Sequence, residues 1–232
     1  MTRLLLFDVD ATLVLTGGAG GRAMAVAFEE LFGASDGFAG IAMAGRTDPA
    51  ILADALARIG RALDADVLDR FRAAYCRRLR DEIVPPAAGK RMMSGIAELV
   101  AALAPRPDVF LALLTGNFEE GARIKLEHFD LWRHFRCGAF GDDAIDRPAL
   151  VPIARARAAA LGAGEVGDDR VFVIGDTPLD VACALESDVR TIGVATGGYD
   201  VQALRAAGAH TAFKDLSDTF AVVAALGLTP RP

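Results

Sequence analysis

The chain has 232 residues, 53% of them hydrophobic, with 31 acidic against 25 basic side chains and a net charge of −6. That length and composition can bury a large core holding one domain plus an insertion, and they exclude a disordered chain. There is no Lys/Arg block to favour nucleic acid or anionic membrane, no apolar run of ~18 residues to cross a bilayer, and no N-terminal apolar stretch long enough for a signal peptide.

Residues 4–7 are a short apolar run, as expected of a strand buried on both faces, and it stops at two carboxylates spaced i, i+2, Asp8 and Asp10. A buried strand cannot carry these on its sides. They belong at its carboxyl end, where an open α/β sheet keeps its ligand crevice. Two close carboxylates in a partly desolvated site repel, and a divalent cation is the usual means of keeping both ionised. Glycine-rich residues 16–21 follow and suggest a hinge. Gly18, Gly20 and Ala23 also fit a dinucleotide fingerprint on paper, but that fingerprint needs its first glycine directly after the strand, and here the Asp pair intervenes. From Gly21 to about Pro86 the apolar spacing is helical throughout, and Pro85, Pro86 and Gly89 mark its end. Within this block lies Gly45-Arg46-Thr47-Asp48, where Thr47 or Asp48 is placed to cap the next helix. Arg46 reads either as a solvated surface cation or as a guanidinium reaching the distal end of a phosphorylated substrate.

After a helix over residues 95–103, residues 109–114 read as a second buried strand ending in Thr115-Gly116-Asn117, a hydroxyl and backbone N–H groups suited to an anion. The helix from Glu119 to about Phe129 carries Lys125, a short strand falls near 137–140, and Arg147-Pro148 opens a helix to Leu161. Residues 171–174 form another apolar strand, which ends in Gly175-Asp176-Thr177-Pro178-Leu179-Asp180, with Pro178 starting a helix. Carboxylates arriving from separate strand ends are the oxygen-rich donor set that Mg²⁺ takes. A strand at 191–194, a turn at 197–199, and helices at 201–207 and 215–226 complete the chain. His128, His134 and His210 are scattered, which disfavours a histidine-based site. Cys76, Cys137 and Cys183 are odd in number and without CxxC spacing, and read as reduced core thiols in a cytoplasmic protein.

The motif Asp8-x-Asp10-x-Thr12 after an N-terminal apolar strand resembles the first motif of the haloacid dehalogenase superfamily, whose usual glycine is here Ala11. Thr115 resembles the second motif, and Gly175-Asp176 through Asp180 the last, in the same order along the chain. The resemblance implies a Rossmann-like, doubly wound parallel sheet of residues 1–15 and 90–232, with a small α-helical cap over 16–89. It points to the phosphatase type of the phosphoglycolate phosphatase and β-phosphoglucomutase-like subfamily. It further implies Mg²⁺-dependent hydrolysis of a small phosphorylated metabolite, with Asp8 as nucleophile, Asp10 as general acid and base, and Thr115 bonding the phosphoryl group. Asp8, Asp10, Asp176 and Asp180 would form the metal site, and Arg46, Thr115, Gly116, Asn117 and Lys125 the substrate contacts. The family's phosphate-neutralising lysine is matched in position by Arg147 and in identity by Lys125, and the place of Arg147 at a loop-to-helix start favours it. Asp10 argues against a carbon–halogen hydrolase, a phosphomutase shares every motif, and the inserted helical block argues against a receiver-type phosphoacceptor domain.

Overall fold

The computed structural model describes residues 1–229. Its centre is a six-stranded sheet of order β5-β4-β1-β6-β7-β8, parallel throughout. The strands are β1 (Arg3–Phe7), β4 (Val109–Leu114), β5 (Gly138–Ala139), β6 (Val171–Gly175), β7 (Arg190–Val194) and β8 (Thr211–Phe213). Side chains alternate across a pleated strand, so each central strand feeds two cores. Leu5 and Phe7 join Leu111, Leu113, Phe172 and Ile174 on one face, beneath α4 (Ile96–Leu103), α5 (Glu119–Glu127) and α9 (Thr219–Ala225). Leu4 and Leu6 join Phe110, Ala112, Leu114, Val171 and Val173 on the other, beneath α6 (Leu150–Ala158) and α7 (Pro178–Glu186). Burial on both faces is why these strands are unbroken apolar runs.

A third apolar cluster lies over the carboxyl ends of the strands. It is built by α1 (Ala19–Phe32), α2 (Asp48–Arg58) and α3 (Ala65–Glu82), with Phe28, Leu52, Leu56, Phe71, Tyr75 and Leu79 inside. Phe118 of the sheet layer joins it, 6.0 Å centroid to centroid from Tyr75. The chain enters and leaves this helical layer through a two-stranded antiparallel pair, β2 (Val14–Leu15) and β3 (Arg91–Met92). Among the described helices none is long and apolar enough to cross a membrane.

Three local expectations change. The closing helix begins at Thr219 instead of Asp215, because Asp215 is taken up by the Ser217 N–H and Asp218 caps α9 by accepting the Ala221 N–H. The helix after Pro148 is α-helical only to Ala158 and then relaxes into a π turn containing Gly162 at φ 96°. Residues 211–213, for which the sequence suggests no element, add the edge strand β8, and α8 (Val201–Ala206) precedes it.

Candidate active site

Register brings the site together. Phe7 pairs with Leu113 of β4 and with Ile174 of β6, so Asp8, Thr115 and Asp176 emerge at one level of the sheet. The Asp8 N–H extends the ladder by donating to the Ile174 carbonyl at 2.9 Å. At the next turn, Thr177 caps α7 in a capping box: the Asp180 Oδ2 accepts from the Thr177 N–H at 3.0 Å and from its hydroxyl at 2.7 Å. That box points the other Asp180 oxygen back at the strand ends.

Oxygens of Asp8, Asp176 and Asp180 lie within 4.8 Å of one another, and all three residues are buried. Arg147 reaches this group from the loop before α6. Its Nη2 donates to Asp8 Oδ1 at 2.8 Å and to Asp180 Oδ1, while Nη1 donates to the Gly45 carbonyl at 2.8 Å. One cation does not neutralise three carboxylates. Burial, reinforced by Asp180 and Asp10 and opposed by Arg147, pushes the Asp8 carboxyl up to about 7. Burial followed by the charges of Asp8 and Asp180 pushes Asp176 to about 8, although the Thr12 hydroxyl donates to it at 3.2 Å. Hard oxygen donors with unmet negative charge suit a divalent cation of the Mg²⁺ kind.

Asp10 is placed differently from the expected ligand set. Its Oδ2 accepts from Lys125 Nζ at 2.6 Å and from Asn117 Nδ2 at 2.9 Å, and Lys125 also donates to Asn117 Oδ1. The carboxylate is therefore drawn away from the other three and is 44% exposed, toward the cavity it borders. Lys125 is buried, since it shares the inward face of α5 with Ala122 and Leu126. The two candidate cations thus divide the carboxylates, Arg147 with Asp8 and Lys125 with Asp10. Thr115 is fully buried beneath Asn117, its hydroxyl accepting from Asn117 Nδ2 at 3.2 Å.

A cavity of about 340 Å³ separates this floor from the helical layer. The loop 45–48 seats on the floor directly. Asp48 N–H donates to the Gly116 carbonyl at 2.7 Å, Asp48 Oδ2 accepts the Phe118 N–H at 2.8 Å, and the Thr47 hydroxyl donates to the Ile145 carbonyl at 2.6 Å. Thr47 also caps α2, accepting from Ala50 N–H. Arg46 borders the cavity, but its guanidinium lies 2.7 Å from Asp54 and donates to the Ala42 and Ala50 carbonyls. Reading a substrate would require it to leave these partners. Asp48, which the sequence places only as a cap, and Tyr75, which falls in the helical apolar spacing of the 21–86 block, also border the cavity.

A parallel sheet that gathers carboxylates and paired cations at its strand ends, under a helical layer, defines a doubly wound, Rossmann-like α/β protein with an oxygen-rich crevice. Comparison with known proteins makes the class specific. Residues 5–185 match the family model of the haloacid dehalogenase-like hydrolases. A phosphoglycolate phosphatase of Rhodospirillum rubrum is 32% identical over 223 residues, covering 94% of this chain and 89% of that protein. The fold is shared with CbbY of Rhodobacter sphaeroides, solved with phosphate, at a TM-score of 0.66 and 20% identity over 94% of this chain and 96% of that one. It is shared also with a hydrolase of Pseudomonas syringae, at a TM-score of 0.67 and 19% identity over 97% and 99%. The chain belongs to the haloacid dehalogenase-like hydrolase family, and it is an enzyme of the phosphatase type.

Proposed function

We propose that the protein hydrolyses a small phosphate monoester in the cytoplasm, with Mg²⁺, through an aspartyl-phosphate on Asp8. The observation that carries this reading is the pairing of Asp8, beside Arg147 and two further carboxylates, with Asp10, which is held apart on Lys125 and open to the cavity. One carboxylate is positioned to attack, and another to move a proton.

In the first step an Asp8 oxygen forms a bond to phosphorus, the ester P–O bond breaks, and the departing alkoxide takes the proton from Asp10. In the second, Asp10 takes a proton from water as its oxygen attacks phosphorus, the Asp8–phosphorus bond breaks, and inorganic phosphate leaves. Arg147 orients Asp8 and balances charge on the phosphoryl oxygens, and Thr115 with the backbone N–H groups of Gly116 and Asn117 is assigned to the same oxygens. Lys125 and Asn117 fix the direction of Asp10. Asp8 and Asp176, backed by Asp180, would hold Mg²⁺, whose contribution is to neutralise charge on the transferring group. The helices between β2 and β3 serve as a cap over 16–89 that excludes water.

The test is phosphate release in excess chelator and after Mg²⁺ is restored, together with trapping of labelled phosphate. Activity should vanish and return with the metal, and Asp8→Asn should abolish turnover and labelling without unfolding. Full activity in chelator, or label on another residue, would overturn the scheme.

A further inference from the structure

Tyr75 lies on α3 and is 1% exposed, its ring stacked on Phe71 at 6.3 Å and tilted against Phe118. Its hydroxyl has no hydrogen-bond partner among the described residues, and the residue borders the cavity. Two glycines let that hydroxyl come close. A Cβ on Gly121 would stand 3.4 Å from it, and one on Gly20 would stand 3.8 Å from it and 3.4 Å from Lys125 Nζ. The hydroxyl is therefore delivered beside the Asp10 side of the site. Asp48 is placed similarly. Its Oδ2 is taken by Phe118 N–H, while Oδ1 receives no donor from the described residues and the side chain borders the same cavity. Neither atom is among the enclosed, unpartnered polar atoms of the described residues, so both open onto the cavity, and that is the direction from which a partner comes.

The charges around the cavity restrict what that partner is. Arg147 is matched by Asp8 and Asp180, Lys125 by Asp10, and Arg46 by Asp54. A transferring phosphoryl group calls on Arg147, and Lys125 is committed to Asp10. No bordering cation is then left over for a second acid on the leaving group, and Asp48 on the cap side supplies none, its carboxyl pushed up to about 7 by burial against the opposing charge of Lys125. Between these groups the wall is apolar, formed by Met24, Met43 and Ile51.

We propose that Tyr75 and Asp48 are specificity residues that hydrogen-bond a hydroxyl of the leaving alcohol, selecting neutral, hydroxylated phosphate esters over esters that carry a second acid. This rests on the phosphatase reading above and names its substrate class. Asp48 Oδ1 accepts from the substrate hydroxyl, and the Tyr75 hydroxyl donates to the same oxygen or to a neighbouring one. A carboxylate in that place meets Asp48 and has no matching cation.

Full-length protein with Mg²⁺ is assayed on three esters of similar size: glycerol 3-phosphate, propyl phosphate and phosphoglycolate. Glycerol 3-phosphate should have the highest kcat/KM, by about tenfold or more over each of the others. Tyr75→Phe removes one oxygen and keeps the ring, and should lower the ratio of glycerol 3-phosphate to propyl phosphate by about tenfold. Asp48→Asn keeps an acceptor for Phe118 N–H and should lower the ratio of glycerol 3-phosphate to phosphoglycolate. A purely structural role would depress all esters together and leave both ratios at their wild-type values, which overturns the assignment. Preference of the wild type for phosphoglycolate overturns it too, while leaving the phosphatase reading standing. Failure to release phosphate from any of the three overturns it as well, and p-nitrophenyl phosphate in the same assay separates the two readings, since its hydrolysis leaves the phosphatase reading standing.

Discussion

Arg147 Nη2 lies 2.8 Å from Asp8 Oδ1, with both side chains less than a tenth exposed, although 139 positions separate them. The contact exists because Arg147 sits in the 3₁₀ turn ahead of α6, stapled by the Gly45 carbonyl and Asp180, so its fork is fixed before substrate arrives. Its Nε, buried and without a partner among the described residues, leaves one donor uncommitted. Charge-assisted contacts of this kind contribute about 1.5–3 kcal/mol, so Arg147→Ala should cost roughly tenfold to a hundredfold in kcat/KM. Arg147→Lys should recover part of the loss, because charge returns without the fork. Near-normal kinetics of the alanine variant would show that Asp8 needs no cation from this position.

Lys125 should act on a different step. Its ammonium and Asn117 hold Asp10, so Lys125→Met is expected to impair protonation of the leaving oxygen more than attack on phosphorus. An alkyl phosphate, whose alkoxide needs that proton, should lose about tenfold more in kcat than p-nitrophenyl phosphate, whose phenolate leaves unaided. Equal losses on both would place Lys125 with the phosphoryl group instead.

The contrast between these cations marks what the chain reveals before it is folded. β1, β4 and β6 are readable because burial on both faces leaves uninterrupted apolar runs, and carboxylates that follow such runs have nowhere to go but the strand ends. The edge strand β8 and the pair β2–β3 are only two or three residues long, so they leave no period to detect. Side-chain direction was harder still. Lys125 turns inward because of the face it shares with Ala122 and Leu126, Arg46 turns to its own helix, and the Asp48 carboxylate meets Phe118, 70 positions away. Ala11, standing where the resembled motif has glycine, takes a left-handed backbone at φ 59°, a conformation costing an alanine about 1 kcal/mol. Helical spacing locates a residue on a face, but a partner distant in sequence decides what it does there.

For Arg46 the structure changes the expected outcome. With its guanidinium on Asp54 and on the carbonyls of Ala42 and of Ala50 in α2, Arg46→Ala should loosen the 45–48 segment and lower kcat/KM for preferred and generic esters by similar factors. The ion pair itself is partly exposed and contributes less than about 1 kcal/mol, so the drop in Tm should be small. A loss confined to the preferred ester would mean that the guanidinium swings from Asp54 to the substrate, one of the two readings the sequence leaves open.

Seating of the 45–48 loop can be tested without touching any charged group. A Cβ on Gly116 would stand 2.1 Å from the Arg46 carbonyl oxygen and 2.7 Å from the Thr47 Cα, both backbone atoms that cannot rotate aside. Gly116 is not among the positive-φ glycines, so alanine adopts its backbone without strain and keeps its N–H. The only consequence of Gly116→Ala is therefore to lift the loop, stretching the 2.7 Å bond from Asp48 N–H and drawing the Asp48 carboxylate off Phe118 N–H. Overpacking of this size costs about 1–3 kcal/mol, which should appear as a lower Tm. Because Gly45, on the same loop, also holds Arg147, kcat/KM should fall by about tenfold even for a generic ester that makes no cap contacts. Wild-type melting and wild-type turnover in this variant would show that the loop does not rest on Gly116 in solution, and the closed arrangement of cap on floor would have to be given up.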